Sequence, residues 1–276
     1  MSDELILELK TFKATTFKQV VDALKEILVD VNFEFSEHGL KILAMNTSHV
    51  VLIHAMMEAD RFESYICKKH LHVGLNMLKL HMIIKTITNN DVLTLFIQKD
   101  DPNKLGIRID NSEKNYKHTY KLPMLDIDIL KFDIPDVDFH TTISMPSTQF
   151  QKIIRDMHNI AEVIEIRSVD DYLDLRCRGE FCTQHTVLGS NDNNSIMIKK
   201  HEGDNNIDDK MGNMNLEENI IQGMFSLKYI AIFTKCTNLC PSVEIYIKQD
   251  YPIIVSYQIA NLGTIKLALS PENQQM

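Results

Sequence analysis

Tryptophan is absent from the 276 residues, glycine is sparse at nine, and no run of about 18 consecutive apolar residues occurs. The last absence excludes a membrane-spanning helix, which needs roughly that length. The opening MSDELILELK has neither the basic start nor the apolar middle of a secretory signal, so a soluble protein that stays where it is made, or is imported folded, is expected. Glycine-rich phosphate loops of the G-x-x-x-x-G-K-[ST] and G-x-G-x-x-G types are missing, as are G-x-S-x-G and H-E-x-x-H. With no phosphate cradle, nucleophile elbow or zincin helix, neither an enzyme nor a cofactor is expected. Cys67, Cys177, Cys182, Cys236 and Cys240 form an odd set without framework spacing, which fits reduced thiols of the cytosol or nucleus. Neither close pair among them has zinc-knuckle spacing, so buried thiols are expected. His70 and His72 in KHLHV share one strand face and could ligate a metal. No second pair of ligands is apparent, so a solvated strand face is expected and no metal site.

What is present is a 44% apolar fraction, enough for a packed core, and a formal net charge of -9. Such a balance argues against nucleic acid coating the whole surface but leaves one basic face open. Short alternating segments such as LILELK, LKILAM, VLTLFIQ, VIEIRSV, YLDLRCR and TIKLALS predict a meandering, mostly antiparallel sheet protein. Helical spacing interrupts them at residues 15–28, 75–87, 147–160 and 225–235. Phe17-Lys18-Gln19-Val20-Val21 resembles Phe150-Gln151-Lys152-Ile153-Ile154 at an offset of 133, and Leu78-Lys79-Leu80 resembles Leu227-Lys228-Tyr229 at an offset of 149. The extra 16 residues fall in an Asn/Asp-rich stretch at about 189–215, read as an enlarged loop. The chain thus reads as an α+β duplication: a domain over 1–122, a connector over 123–139 and a second domain over 140–276. The connector, PMLDIDILKFDIPDVDF, alternates five aspartates with apolar teeth. It either holds a peptide or forms an edge strand with its aspartates in water.

Lys18 and Lys25, Lys79 and Lys85, Lys152 and Arg155, and Lys228 and Lys235 lie away from the apolar side of the first, second, third and fourth helix, respectively. For any one helix this is an ordinary solvated face, and Lys18 can pair with Asp22 at i, i+4. Repeated on all four helices, the same device would merge into one basic surface.

Taken together, QVVDALKEILVDVNFEFSEHGLKILAMNTSHVVLI, IPDVDF, MPSTQFQKIIRDMHNI, YIAIFTK and DYPIIVSYQIANLGTIKLALSP resemble, in order, the proliferating cell nuclear antigen family of eukaryotic-type DNA sliding clamps. The resemblance implies two similar clamp domains, with helices on one face of curved antiparallel sheets, assembled as a homotrimer into a closed ring around double-stranded DNA. It implies a polymerase processivity factor that also docks replication and repair proteins in the nucleus, or at a viral replication site. The Asn/Ile/Met-heavy composition suits an AT-rich genome such as that of a large DNA virus. Lys18, Lys25, Lys85, Lys152, Arg155, Lys228 and Lys235 match basic positions of the family's inner surface. Gln19 and Met82 fall where lysine is common, and Lys79 is expected to compensate.

The family's pocket for short partner peptides, carried by polymerase and clamp loader among others, would fall on three segments. These are Met45, His49, Val50 and Leu52; then Ile127, Ile129, Phe132 and Ile134; then Pro252, Ala268, Ser270 and Pro271. Ala268 departs from a common tyrosine, and Asp170 stands where a modifiable lysine is common. Glu113–Lys121 and Phe181–Leu188 would be the edges that join subunits head to tail. A checkpoint-type subunit of a heteromeric ring and a monomeric polymerase accessory protein remain as alternatives.

Overall fold

The computed structural model describes residues 4–129, 137–139, 141–169, 172–190, 196–200 and 220–272. The chain divides into two compact units, Met1–Phe132 with Gln258–Lys266, and Asp133–Tyr257 with Leu267–Met276.

The first unit contains β1 (Leu5–Thr11), α1 (Ala14–Leu24), β2 (Asp30–Ser36), β3 (Gly39–Met45), β4 (Val51–Glu58), β5 (Ser64–Cys67), β6 (Leu71–Asn76), α2 (Met77–Ile84), β7 (Val92–Gln98), β8 (Asp101–Asn111) and β9 (Tyr116–Pro123). Two strand orders result, β5-β1-β7-β8-β9 and β6-β2-β3-β4, with antiparallel pairing between neighbours. Alternation drives this arrangement. In β1, Leu7, Leu9 and Thr11 are buried while Glu8 and Lys10 turn outward, and in β2 Val31, Phe33 and Phe35 are buried. Each such apolar side chain contributes about 1.5–3 kcal/mol on full burial.

The remaining strands and helices are β10 (Thr141–Pro146), α3 (Ser147–His158), β11 (Val163–Val169), β12 (Tyr172–Arg178), β13 (Thr183–Gly189), β14 (Met197–Lys200), β15 (Ile220–Ser226), α4 (Leu227–Phe233), β16 (Ser242–Ile247), β17 (Ile253–Ile259) and β18 (Gly263–Leu269). Their orders, β14-β10-β16-β17-β18 and β15-β11-β12-β13, repeat those of the first set with every strand number raised by nine. In both sets a helix follows the first and the sixth strand, and the two helices pack on each other. The duplication is therefore one of topology, beyond the similarity of helix sequences.

The helix ends differ from the periodicity. α1 stops at Leu24, not Leu28, because Ile27 and Leu28 enter a tight turn in which both amides donate to the Leu24 carbonyl, at 3.0 and 2.9 Å. Both side chains stay in the core, so the apolar rhythm outlasts the helix. α4 likewise stops at Phe233 and continues as a 3-10 turn over Thr234–Leu239.

One offset also changes. The N-terminal caps Asn76 and Ser226, the buried Met77 and Leu227, and the buried Leu80 and Ile230 all align at 150, one more than the sequence pairing. The equivalent of Leu78 is thus Lys228, and indeed Leu78 is 55% exposed whereas Leu227 is fully buried. The offset of 133 for α1 and α3 stands, with Phe17 and Phe150, Val21 and Ile154, and Leu24 and Met157 buried in register. Much of the enlarged loop lies outside the described residues. All five cysteines are free.

Candidate functional site

Each helix buries one side in its own unit, and α2, α3 and α4 turn exposed cations outward. Lys79 and Lys85 on and just after α2, Lys152 and Arg155 on α3, Lys228 on α4 and Lys235 just beyond it are all exposed. Lys79, Lys85 and Lys152 have no carboxylate within ion-pair distance among the described residues. Arg155 sits 3.8 Å from Asp156 with most of its side chain in solvent, a geometry that leaves its charge largely available. Lys228 lies 5.6 Å above the Tyr229 ring, which steadies the ammonium without neutralising it. Gln19 is half-buried and Met82 is 54% exposed, so the outer face of α2 carries two apolar side chains, Leu78 and Met82, among its lysines.

The two lysines of the first helix behave differently. Lys18 does not stand free beside Asp22: its Nζ donates to the Ile87 carbonyl at 2.8 Å, beyond the end of α2. In the other unit Gln151, the equivalent of Lys18 at the offset of 133, donates its Nε2 to the Thr234 carbonyl at 3.1 Å, at the end of α4. Both therefore donate to a carbonyl where the neighbouring helix stops, the Thr234 carbonyl accepting from the Thr237 hydroxyl as well. Lys25 Nζ lies 2.6 Å from Asp22 Oδ1 and 3.6 Å from Glu26, and His81 Nε2 reaches the same Asp22 oxygen at 3.1 Å. The Asp22 hydrogen bond raises the Lys25 ammonium above its usual pKa despite partial burial. The charge of Lys25 is thus compensated, and Asp22 joins α1 to α2 through His81. Spacing along one helix could not have revealed His81, because the partner comes from another element.

The MNTSHV segment is a braced hairpin tip. Met45 pairs directly with Leu52, and the buried Asn46 accepts from the amides of Val50 and Val51, both at 3.0 Å, while its Nδ2 donates to Ser48 at 2.8 Å. His49 takes a left-handed φ of 58° and is exposed. Asn46 was not among the expected site residues, although an asparagine followed by small polar residues is a recognised turn signal.

The start of the connector is tied to β6 and β2. The Leu125 amide donates to Gly74 at 2.8 Å, and Asn32 Nδ2 donates to the Ile127 carbonyl at 3.1 Å. Any Cβ at Gly74 would stand 2.2 Å from the Leu125 carbonyl oxygen, so this approach needs glycine. Ile127 is half-buried and Ile129 exposed, with the intervening Asp128 in water. Phe132, Ile134 and Asp170 lie outside the described residues. In the second unit Pro252 and Ala268 are half-buried, Ser270 is exposed and Pro271 half-buried.

Comparison with known proteins gives two family matches: proliferating cell nuclear antigen, N-terminal domain, over residues 6–134, and proliferating cell nuclear antigen, C-terminal domain, over residues 133–272. Among similar proteins, a probable DNA polymerase sliding clamp 1 of Paramecium bursaria Chlorella virus 1 is 30% identical over 273 residues, which cover 98% of each chain. The proliferating cell nuclear antigen of Chaetomium thermophilum is 29% identical over 268 residues, 97% of this chain and 98% of its own. The chain therefore belongs to the proliferating cell nuclear antigen family.

Proposed function

We propose that this protein is a DNA sliding clamp that keeps a DNA polymerase on its template and has no catalytic activity of its own. The observation that carries the reading is the recurrence of exposed cations on three of the four helices of a duplicated fold, in a chain whose net charge is -9. Lysines meeting phosphates make contacts without sequence preference, and the acidic remainder discourages DNA from wrapping elsewhere. The DNA-facing set is Lys79, Lys85, Lys152, Arg155, Lys228 and Lys235, with Lys18 and Lys25 contributing charge from behind their structural bonds. The ring is a homotrimer opened by a clamp loader, and it works in the nucleus or at a viral replication site. Polymerase and loader peptides dock on Met45, His49, Val50, Leu52, Ile127 and Ile129, with Phe132, Ile134, Pro252, Ala268, Ser270 and Pro271 as the remaining members of the family's peptide site.

The test is extension length on a primed circular template with polymerase, with and without a loader. Wild type should lengthen the products only when loaded, and Lys79→Glu with Lys152→Glu should shorten them while leaving the fold intact. Products of equal length with and without the protein would overturn the reading.

A further inference from the structure

On the first unit, the strand β6 ends its sheet and pairs with β2 so that His72 stands directly opposite Glu34. His70, two residues earlier, faces the same way, and the two imidazoles stack with ring centroids 4.8 Å apart at 29°. Glu34 Oε1 is already 3.0 Å from His70 Nε2, and one ligand atom from each of Glu34, His70 and His72 lies within 4.8 Å of the others. The sequence displays only the two histidines. The third donor comes from β2 through the register, which is why a search along the chain does not find it.

We propose that Glu34, His70 and His72 form a binding site for a divalent transition-metal cation of the Zn2+ class, which ties the edge strand β6 to β2. Two imidazoles with one carboxylate suit Zn2+, Ni2+ or Cu2+ rather than Mg2+ or Ca2+, which prefer oxygen alone. Bonds of about 2.0–2.2 Å in a tetrahedral shell place ligand atoms roughly 3.3–3.5 Å apart. The Glu34–His70 pair has nearly that spacing now, and the widest separation needs about 1.5 Å of closure. Both histidines are exposed, so rotation of their side chains supplies that movement without disturbing the core. Lys41, opposite Glu34 on β3, holds the other carboxylate oxygen, Oε2, at 3.5 Å and leaves Oε1 for the ion. Three protein ligands on a solvent face leave the remaining coordination position to water or to a donor from another molecule.

Isothermal titration of the full-length chain with ZnCl2, and separately with NiCl2, tests the site. The five cysteines and remaining histidines form a common background, so the comparison is wild type against His72→Ala, His70→Ala and Glu34→Gln. Wild type should bind one more equivalent than any variant, or bind it at least tenfold more tightly, and Zn2+ should raise the melting temperature of wild type but not of His72→Ala. Circular dichroism should be the same for all four proteins, because the side chains lie on the sheet's outer face. Absence of Zn2+ binding by wild type, or identical stoichiometry and affinity in all four proteins, would overturn the site and leave His70 and Glu34 as a plain surface contact.

Discussion

Lys18 and Gln151 occupy one position in two copies of the same helix and do the same work with different chemistry. Each closes a carbonyl at the end of the adjacent helix, Ile87 in one unit and Thr234 in the other. A lysine that would otherwise count wholly toward DNA binding is therefore partly a structural donor. Lys18→Gln installs the group that the other half already uses, so it should leave stability within about 0.5 kcal/mol of wild type, whereas Lys18→Ala loses a hydrogen bond worth about 1 kcal/mol. Urea denaturation separates the two, and equal losses would show that the Ile87 bond contributes nothing. Lys152, at the position of Gln19, has no such second duty among the described residues. Lys152→Gln should leave the denaturation curve unchanged while lowering the salt dependence of loaded-clamp retention by about one unit of log-log slope for each phosphate contact removed. Asp22 acts at the same scale: by pairing with Lys25 and His81 it joins two helices and moderates the charge between them.

The β8–β9 hairpin depends on one carboxylate at the level of elements. Asp91 is 2% exposed and stands at the entry to β7, where it accepts from the Thr88 amide at 2.7 Å, the Tyr116 hydroxyl at 2.7 Å and the Asn111 side chain. Burial pushes its pKa up, but the hydrogen bonds from Thr88, Asn111 and Tyr116 outweigh it and hold the carboxyl below the ordinary 3.8. A depressed carboxylate pKa contributes stability that is present above the unfolded value and is lost as pH falls through the folded one. Thermal unfolding should therefore show an acid-side loss, beginning near the ordinary carboxylate range, that is reduced in Asp91→Asn. At neutral pH that substitution should cost about 2–4 kcal/mol, since charged hydrogen bonds at a buried site are removed. An unchanged acid limb would contradict this account of Asp91.

The same scale shows where sequence patterning works and where it stops. Alternation exposes most strands, and KHLHV marks the start of β6, but β15, its equivalent in the other half, escapes the pattern with Gly223 in its middle. In β6 the glycine instead admits the connector's backbone. Helical periodicity locates all four helices but overruns their ends, since residues such as Ile27 stay buried after the helix has stopped. The outward lysines are legible because they repeat along single helices. His81 with Asp22, and Glu34 with the two histidines, are not legible, because they meet only through folding.

At the scale of the whole molecule, the proposed ring needs a joint between copies of the chain. The strands β9 and β13 each end a sheet, the first in the order β5-β1-β7-β8-β9 and the second in β13-β12-β11-β15. Unpaired edges invite another strand unless they are blunted. β13 is not blunted: Val187 on the strand is 52% exposed and Phe181, just before it, is 77% exposed. On β9, Tyr116, His118 and Tyr120 form a ladder with ring centroids 4.9 and 6.4 Å apart, an apolar and aromatic counterpart. Pairing β13 of one copy with β9 of the next is head to tail, and such an interface forms a closed ring only when its rotation matches the number of subunits. Phe181→Glu with Val187→Glu places two carboxylates on exposed side chains, so the isolated chain should fold as before while the edge loses its apolar partner surface. Light scattering should give three times the chain mass for wild type and a single chain mass for the double variant at the same concentration. A double variant that remains trimeric would move the joint away from β13. A wild type that is monomeric at every concentration tested would instead favour an accessory protein that holds DNA by charge without encircling it.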